Sequence, residues 1–184
     1  MEGIKKSAEE KMKKAVKALE DEFKTIRTGR ASAALFENIR VDYYEQKVPL
    51  NQVATISIPE ARLVIIQPWD RSVLPEIEKA IQKSELSVNP NNDGKVIRIN
   101  IPPLTEDRRK ELVKLTKGMA ETARVAIRNH RRDANEEIKK AQKSSELSED
   151  EAKKATDEIQ KLTDRNIEEV NKLLEAKEKE ILEV

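Results

Sequence analysis

The sequence predicts an α+β protein: a long three-helix bundle interrupted by a small module of strands and one short helix. Three observations predict it. Apolar residues recur at steps of three and four through residues 1–28, through 105–142, and again from 148 onward. Between 39 and 101 the apolar period shortens to two. The composition is 39% charged and only 3% aromatic, with four glycines in 184 residues. Such a chain suits solvent-laced helices better than a β-sandwich or barrel.

The first helix is marked by Ile4, Ala8, Met12, Ala15, Leu19, Phe23 and Ile26 along one face. The second carries Leu112, Leu115, Met119, Ala123, Ala126, Ala134, Ile138 and Ala141, with Thr105 placed to cap it and Glu106 and Asp107 in its first turn. The third opens on Ser148-Glu-Asp-Glu151, a capping box, and continues through Ala155, Ile159, Leu162, Val170, Leu173 and Ile181. At 1.5 Å per residue these helices are roughly 40–55 Å long. Three apolar stripes of that length can bury one another.

In the inserted module, IRVDYY (39–44), VATISI (53–58) and KVIRINI (95–101) alternate as half-buried strands. RLVIIQ (62–67), apolar at successive positions, predicts a strand covered on both faces. Residues 72–84 predict a short helix with Pro75 in its first turn, and NPNNDG (89–94) predicts a turn. The module starts after Thr28-Gly29-Arg30 and ends at Pro102-Pro103. Gly29 can turn without a Cβ penalty and the prolines bar helix, so Gly29, Arg30, Pro102 and Pro103 are the predicted hinge. The expected division is therefore 1–30 with 104–184, and 31–103.

The composition also excludes functions. Without cysteine there is no disulfide or thiolate metal site, and the single histidine, His130, leaves no histidine-based zinc site. No run approaches a membrane span and the charged N-terminus lacks a signal core, so a soluble cytoplasmic protein is expected. No cofactor motif is visible: DGKV (93–96) lacks the glycine cradle of a phosphate loop. No carboxylate pair stands out as acid and base. His130 is placed on the core side as a satisfied interfacial residue.

A formal net charge of +1 conceals segregation. Residues 105–143 carry twelve Lys/Arg against seven Asp/Glu, whereas 144–184 carry seven against thirteen. With Arg124 set to zero on a helical projection, Arg128 lies at about 40°, Arg131 at −20°, Arg132 at 80° and Lys117 at 20°. The core residues cluster near −80° to −140°, so the basic stripe is expected largely opposite the core. Only Glu121 interrupts it between 117 and 132. Arginine suits planar, bidentate contact with phosphate, and the stripe has length rather than a pocket, which points to a nucleic-acid backbone. Aromatic residues are too few for base stacking. Two other classes stay open at this point: an adaptor that binds protein through the acidic third helix, and an enzyme using carboxylates.

FKTIRTGRAS (23–32), NPNNDGKVIRINIPPLTEDRRKEL (89–112) and ARVAIRNHRRDAN (123–135), with VDYY (41–44) and QKLTD (160–164), resemble the bacterial ribosome recycling factor family in order and spacing over essentially the whole chain. The resemblance implies an L-shaped monomer with a hinged β/α/β domain on the bundle. It implies binding to post-termination ribosomes on large-subunit ribosomal RNA, and splitting into subunits with elongation factor G and GTP, without catalysis or cofactor. The family's RNA-contacting arginines map onto Arg27, Arg30, Arg128 and Arg131; Arg124, Arg132 and Lys117 are added from the stripe. Two departures are visible: Ala33 where many relatives have proline, and Glu45 where many have glycine.

Overall fold

The computed structural model describes residues 2–183; Met1 and Val184, the outer ends of the expected bundle segments, lie outside them. Two compact units are present, one formed by residues 2–27 and 106–183 and the other by 28–105.

The first unit contains three helices: α1 (Glu2–Thr25), α3 (Glu106–Lys143) and α4 (Glu149–Leu182), with α2 belonging to the other unit. Their stripes meet in one core that includes Met12, Phe23, Ile127, Ile138, Ile159 and Val170. Ser148 caps α4 reciprocally: its hydroxyl accepts from the Glu151 amide while the Glu151 side chain accepts from the Ser148 amide. Leu115 departs from expectation. It is 49% exposed and lines an open groove with Glu22, Lys114, Gly118 and Met119. Thr116 and Ala120 are fully buried in its stead.

The second unit contains β1 (Arg40–Tyr43), β2 (Gln46–Pro49), β3 (Ala54–Glu60), β4 (Leu63–Pro68), α2 (Leu74–Gln82), β5 (Pro90–Asn92) and β6 (Ile97–Asn100). Strands β1 and β2 form an antiparallel hairpin, and the other four make an antiparallel sheet in the order β3-β4-β6-β5. Val41, Val64, Ile66, Ile77, Ile81, Ile97 and Ile99 share its core. Pro75 sits in the first turn of α2, where its missing N–H costs nothing. Two expectations are corrected. β4 is covered on one face only: Val64 and Ile66 are buried while Leu63 and Ile65 stay half-exposed. The segment 90–92 is a strand paired to β6, and only 93–96 turn. There Asp93 accepts the amides of Lys95 and Val96, so DGKV is a strand connection.

The β1–β2 hairpin closes through Tyr44 and Glu45, both left-handed at φ 46° and 63°. That is the two-residue turn in which glycine is favoured. Glu45→Gly is therefore expected to stabilise the chain by about 0.5–1 kcal/mol in urea unfolding; a lowered midpoint would contradict the turn assignment.

Acid should act in the opposite sense. The amides of Val96 and Lys95 hold the Asp93 carboxyl below its ordinary value, and the Ser148 amide and hydroxyl do the same for Glu151. With folded values depressed, the stability they contribute is complete above the unfolded carboxylate range near pH 4 and is lost as pH falls through the folded values. The urea midpoint should be lower at pH 3 than at pH 7, and equal midpoints would refute this.

Candidate nucleic-acid interface

α3 is a single 38-residue helix, so its long basic flank is held by continuous backbone hydrogen bonds rather than by loops. The structure redraws the relation of that flank to the core. Lys117, Arg124 and Arg131, spaced by seven, all reach across to the antiparallel α4. Lys117 Nζ lies 3.6 Å from Glu178 Oε1, an ion pair too long for a hydrogen bond. Arg124 donates from Nε and Nη2 to Asn171 Oδ1 at 3.0 and 2.7 Å. Arg131 Nη1 donates to Gln160 Oε1 at 3.3 Å, and Gln160 Nε2 donates to Asp164 at 2.8 Å. These three basic residues follow the α3–α4 seam instead of standing opposite the core, because long stems lie along a neighbouring helix while their heads stay at its rim.

The seven candidates thus differ in availability. Arg124 is well enclosed, with 19% of its side chain exposed and Nη1 also bound to Glu121 at 3.0 Å. Arg128 is 40% exposed and donates Nη1 to the other Glu121 oxygen at 3.1 Å. Arg131 is half-buried against the neutral Gln160, so its charge is uncancelled there. Arg132 is exposed with no hydrogen bond or ion pair among the described residues, as is Lys114 farther along α3. Arg27, just after α1, is likewise exposed and without a partner among the described residues, and Arg30 is exposed in the second unit. Glu121 is held below the ordinary carboxylate range by its hydrogen bonds from Arg124 and then Arg128, so it stays ionised beside them.

The pairing of Glu121 with the basic flank was legible in the spacing E-x-x-R-x-x-x-R (121–128), since residues three and seven apart share a helix face, whereas Asn171 and Gln160 were missed. Nothing local signals those two, which depend on the register of α3 against α4. His130 is half-buried, but its Nδ1 is buried without a partner among the described residues, which corrects the expectation that it is satisfied.

The hinge candidates all fall within the second unit, whose junctions with the first lie at 27/28 and 105/106. Gly29 has φ 77°, and a Cβ there would sit 3.3 Å from Leu104 Cγ and 3.7 Å from the Pro102 carbonyl. The amides of Ala31 and Ile101 donate to the Ala61 and Arg62 carbonyls, each at 2.8 Å. Incoming and outgoing passages are therefore tied to the β3–β4 turn. Pro102 and Pro103 are both exposed and border a hollow of about 420 Å³ beside that turn. Among the described residues no cluster of three or more His, Asp or Glu side chains could hold a metal, and no helix is long and apolar enough to cross a membrane.

Comparison with known proteins agrees with the architecture. A family model described as ribosome recycling factor matches residues 19–182. The chain is 63% identical to the ribosome-recycling factor of Treponema denticola, covering 100% of this chain and 99% of that one. It is 56% identical to the ribosome-recycling factor of Nitratidesulfovibrio vulgaris over 100% and 99% of the two chains. A ribosome recycling factor solved in solution superposes with a TM-score of 0.74 at 52% identity, covering 100% of this chain and 97% of its own. A second similar structure, with a TM-score of 0.63 at 48% identity and 98% coverage of both chains, belongs to models of the T. thermophilus factor and E. coli elongation factor G bound to the E. coli post-termination complex. With the family model spanning most of its length and such identity from end to end, the chain belongs to the ribosome recycling factor family.

Proposed function

We propose that this chain recycles ribosomes in the cytoplasm: it binds the post-termination ribosome and, with elongation factor G and GTP, promotes its separation into subunits. The observation that carries the anchoring step is the basic flank of α3, where Arg128, Arg131 and Arg132 present guanidinium groups along a stiff rod. Planar forks on a rigid helix suit the phosphates of structured RNA, and α4 meets Arg124 and Arg131 with carboxamides that leave their charges intact. Arg128, Arg131, Arg132 and Arg27 are the principal contacts in this assignment, with Arg30 beside them. Arg124 and Lys117 contribute field from a more restrained position.

Residues 31–103 receive the movement of elongation factor G, and Gly29, Arg30, Pro102 and Pro103 pass it to the helices of 1–30 and 104–184. The hydrogen bonds of Ala31 and Ile101 to the β3–β4 turn and the close approach of Gly29 to Leu104 support this, because they couple the two chain passages. The chain acts as a monomer and performs no chemistry; the free energy comes from GTP hydrolysis by its partner.

Purified post-termination ribosomes incubated with elongation factor G and GTP test the proposal by sedimentation. Free subunits should accumulate only when this chain is added. Intact ribosomes in its presence would overturn the assignment.

A further inference from the structure

A surface that grips a polyanion should gain nothing from a carboxylate, yet Glu121 stands in the middle of the basic flank. Its contacts suggest why. Oε2 accepts from Arg124 Nη1 at 3.0 Å and Oε1 accepts from Arg128 Nη1 at 3.1 Å, so one carboxylate is divided between two guanidinium groups. Arg124 is in turn fastened to α4, with Nε and Nη2 both donating to Asn171 Oδ1. Asn171, Arg124, Glu121 and Arg128 therefore form a continuous brace from one helix to the exposed edge of the other. The brace ends on an arginine whose Nε and Nη2 have no partner among the described residues. Two cations and one anion leave the group positive, and the neutral amide at 171 preserves that excess on an otherwise acidic helix.

We propose that Glu121 is a positioning residue for anion binding: anchored through Arg124 to Asn171, it holds the Arg128 guanidinium extended toward a phosphate group. The inference rests on the RNA-anchoring role assigned to α3. It reverses the sign that charge alone would give. If Glu121 only diluted the positive field, Glu121→Gln would remove a negative charge and tighten binding to RNA. As a positioning residue its loss weakens binding, since the amide offers one acceptor oxygen where two are used. Arg128 must then be ordered at the moment of contact, at a cost of about threefold to tenfold in affinity for one long side chain.

The experiment measures dissociation constants of the full chain for purified large ribosomal subunits at one fixed salt concentration, with helix content checked by circular dichroism. The variants are Glu121→Gln, Arg128→Ala, their combination, Arg131→Ala and Asn171→Ala. Glu121→Gln should bind about threefold to tenfold more weakly, and Asn171→Ala should shift in the same direction. On the Arg128→Ala background, Glu121→Gln should cause no further loss, the coupling expected when one residue acts through the other. Unchanged or tighter binding by Glu121→Gln overturns the positioning role, as does an equal loss with and without Arg128. If Arg128→Ala and Arg131→Ala weaken binding but Glu121→Gln does not, positioning alone fails. If neither arginine variant weakens binding, the RNA-anchoring role fails with it.

Discussion

Arg131→Glu is expected to abolish stable ribosome binding, lowering affinity on the order of a hundredfold or more, while leaving helix content unchanged. The substitution removes a cation and places an anion where phosphate is to dock, and a like charge there costs several kcal/mol, about 100-fold or more. In the free protein the change is mild. Arg131 is half-buried and makes one long hydrogen bond, 3.3 Å, to the neutral Gln160, so no buried charge loses its counterion. Surface changes of this kind usually alter stability by less than about 0.5 kcal/mol. Arg131→Lys should fall between, keeping the charge but losing the planar fork. Normal ribosome binding and subunit splitting by Arg131→Glu would remove α3 from the function altogether.

Ile127→Ala should have the largest effect on stability. Ile127 is fully buried on the inner face of α3, in the core it shares with Met12, Ile159 and Val170. Truncation removes buried carbon and leaves a cavity that rigid helices cannot close, at a cost of about 2–5 kcal/mol. Against a total of about 5–15 kcal/mol for a domain, that is a large fraction of the bundle's stability. Urea unfolding followed by helical ellipticity should show the loss, and a change below about 1 kcal/mol would contradict the packing described. In the proposed mechanism the same stiffness matters, because struts that yield cannot transmit displacement.

The helices were legible because their signals are local. A stripe such as Met12, Leu19 and Phe23, or a reciprocal cap such as Ser148 with Glu151, needs no knowledge of what packs against it. Where outcome depends on neighbours, sequence misled. β2, QKVP, has no buried residue and so no apolar alternation to reveal it. β5, PNN, has the composition of a turn and is a strand only because β6 pairs with it. Leu115 is more apolar than Thr116, yet the inward position belongs to Thr116, since the orientation of α3 against its neighbours decides which residue faces in. The same limit applies to the basic flank. Its residues and spacing could be read from the chain, but its lean toward α4, and the link from Asn171 to Arg124, arise from interhelical register.

Affinity for purified large subunits between 50 and 200 mM salt tests most directly whether this helix holds RNA by its phosphates. With about six phosphate contacts, binding should weaken by about three orders of magnitude across that range, and each arginine replaced by alanine should reduce the slope by about one contact. Affinity that scarcely changes with salt would mean that the chain is held by something other than α3's guanidinium groups.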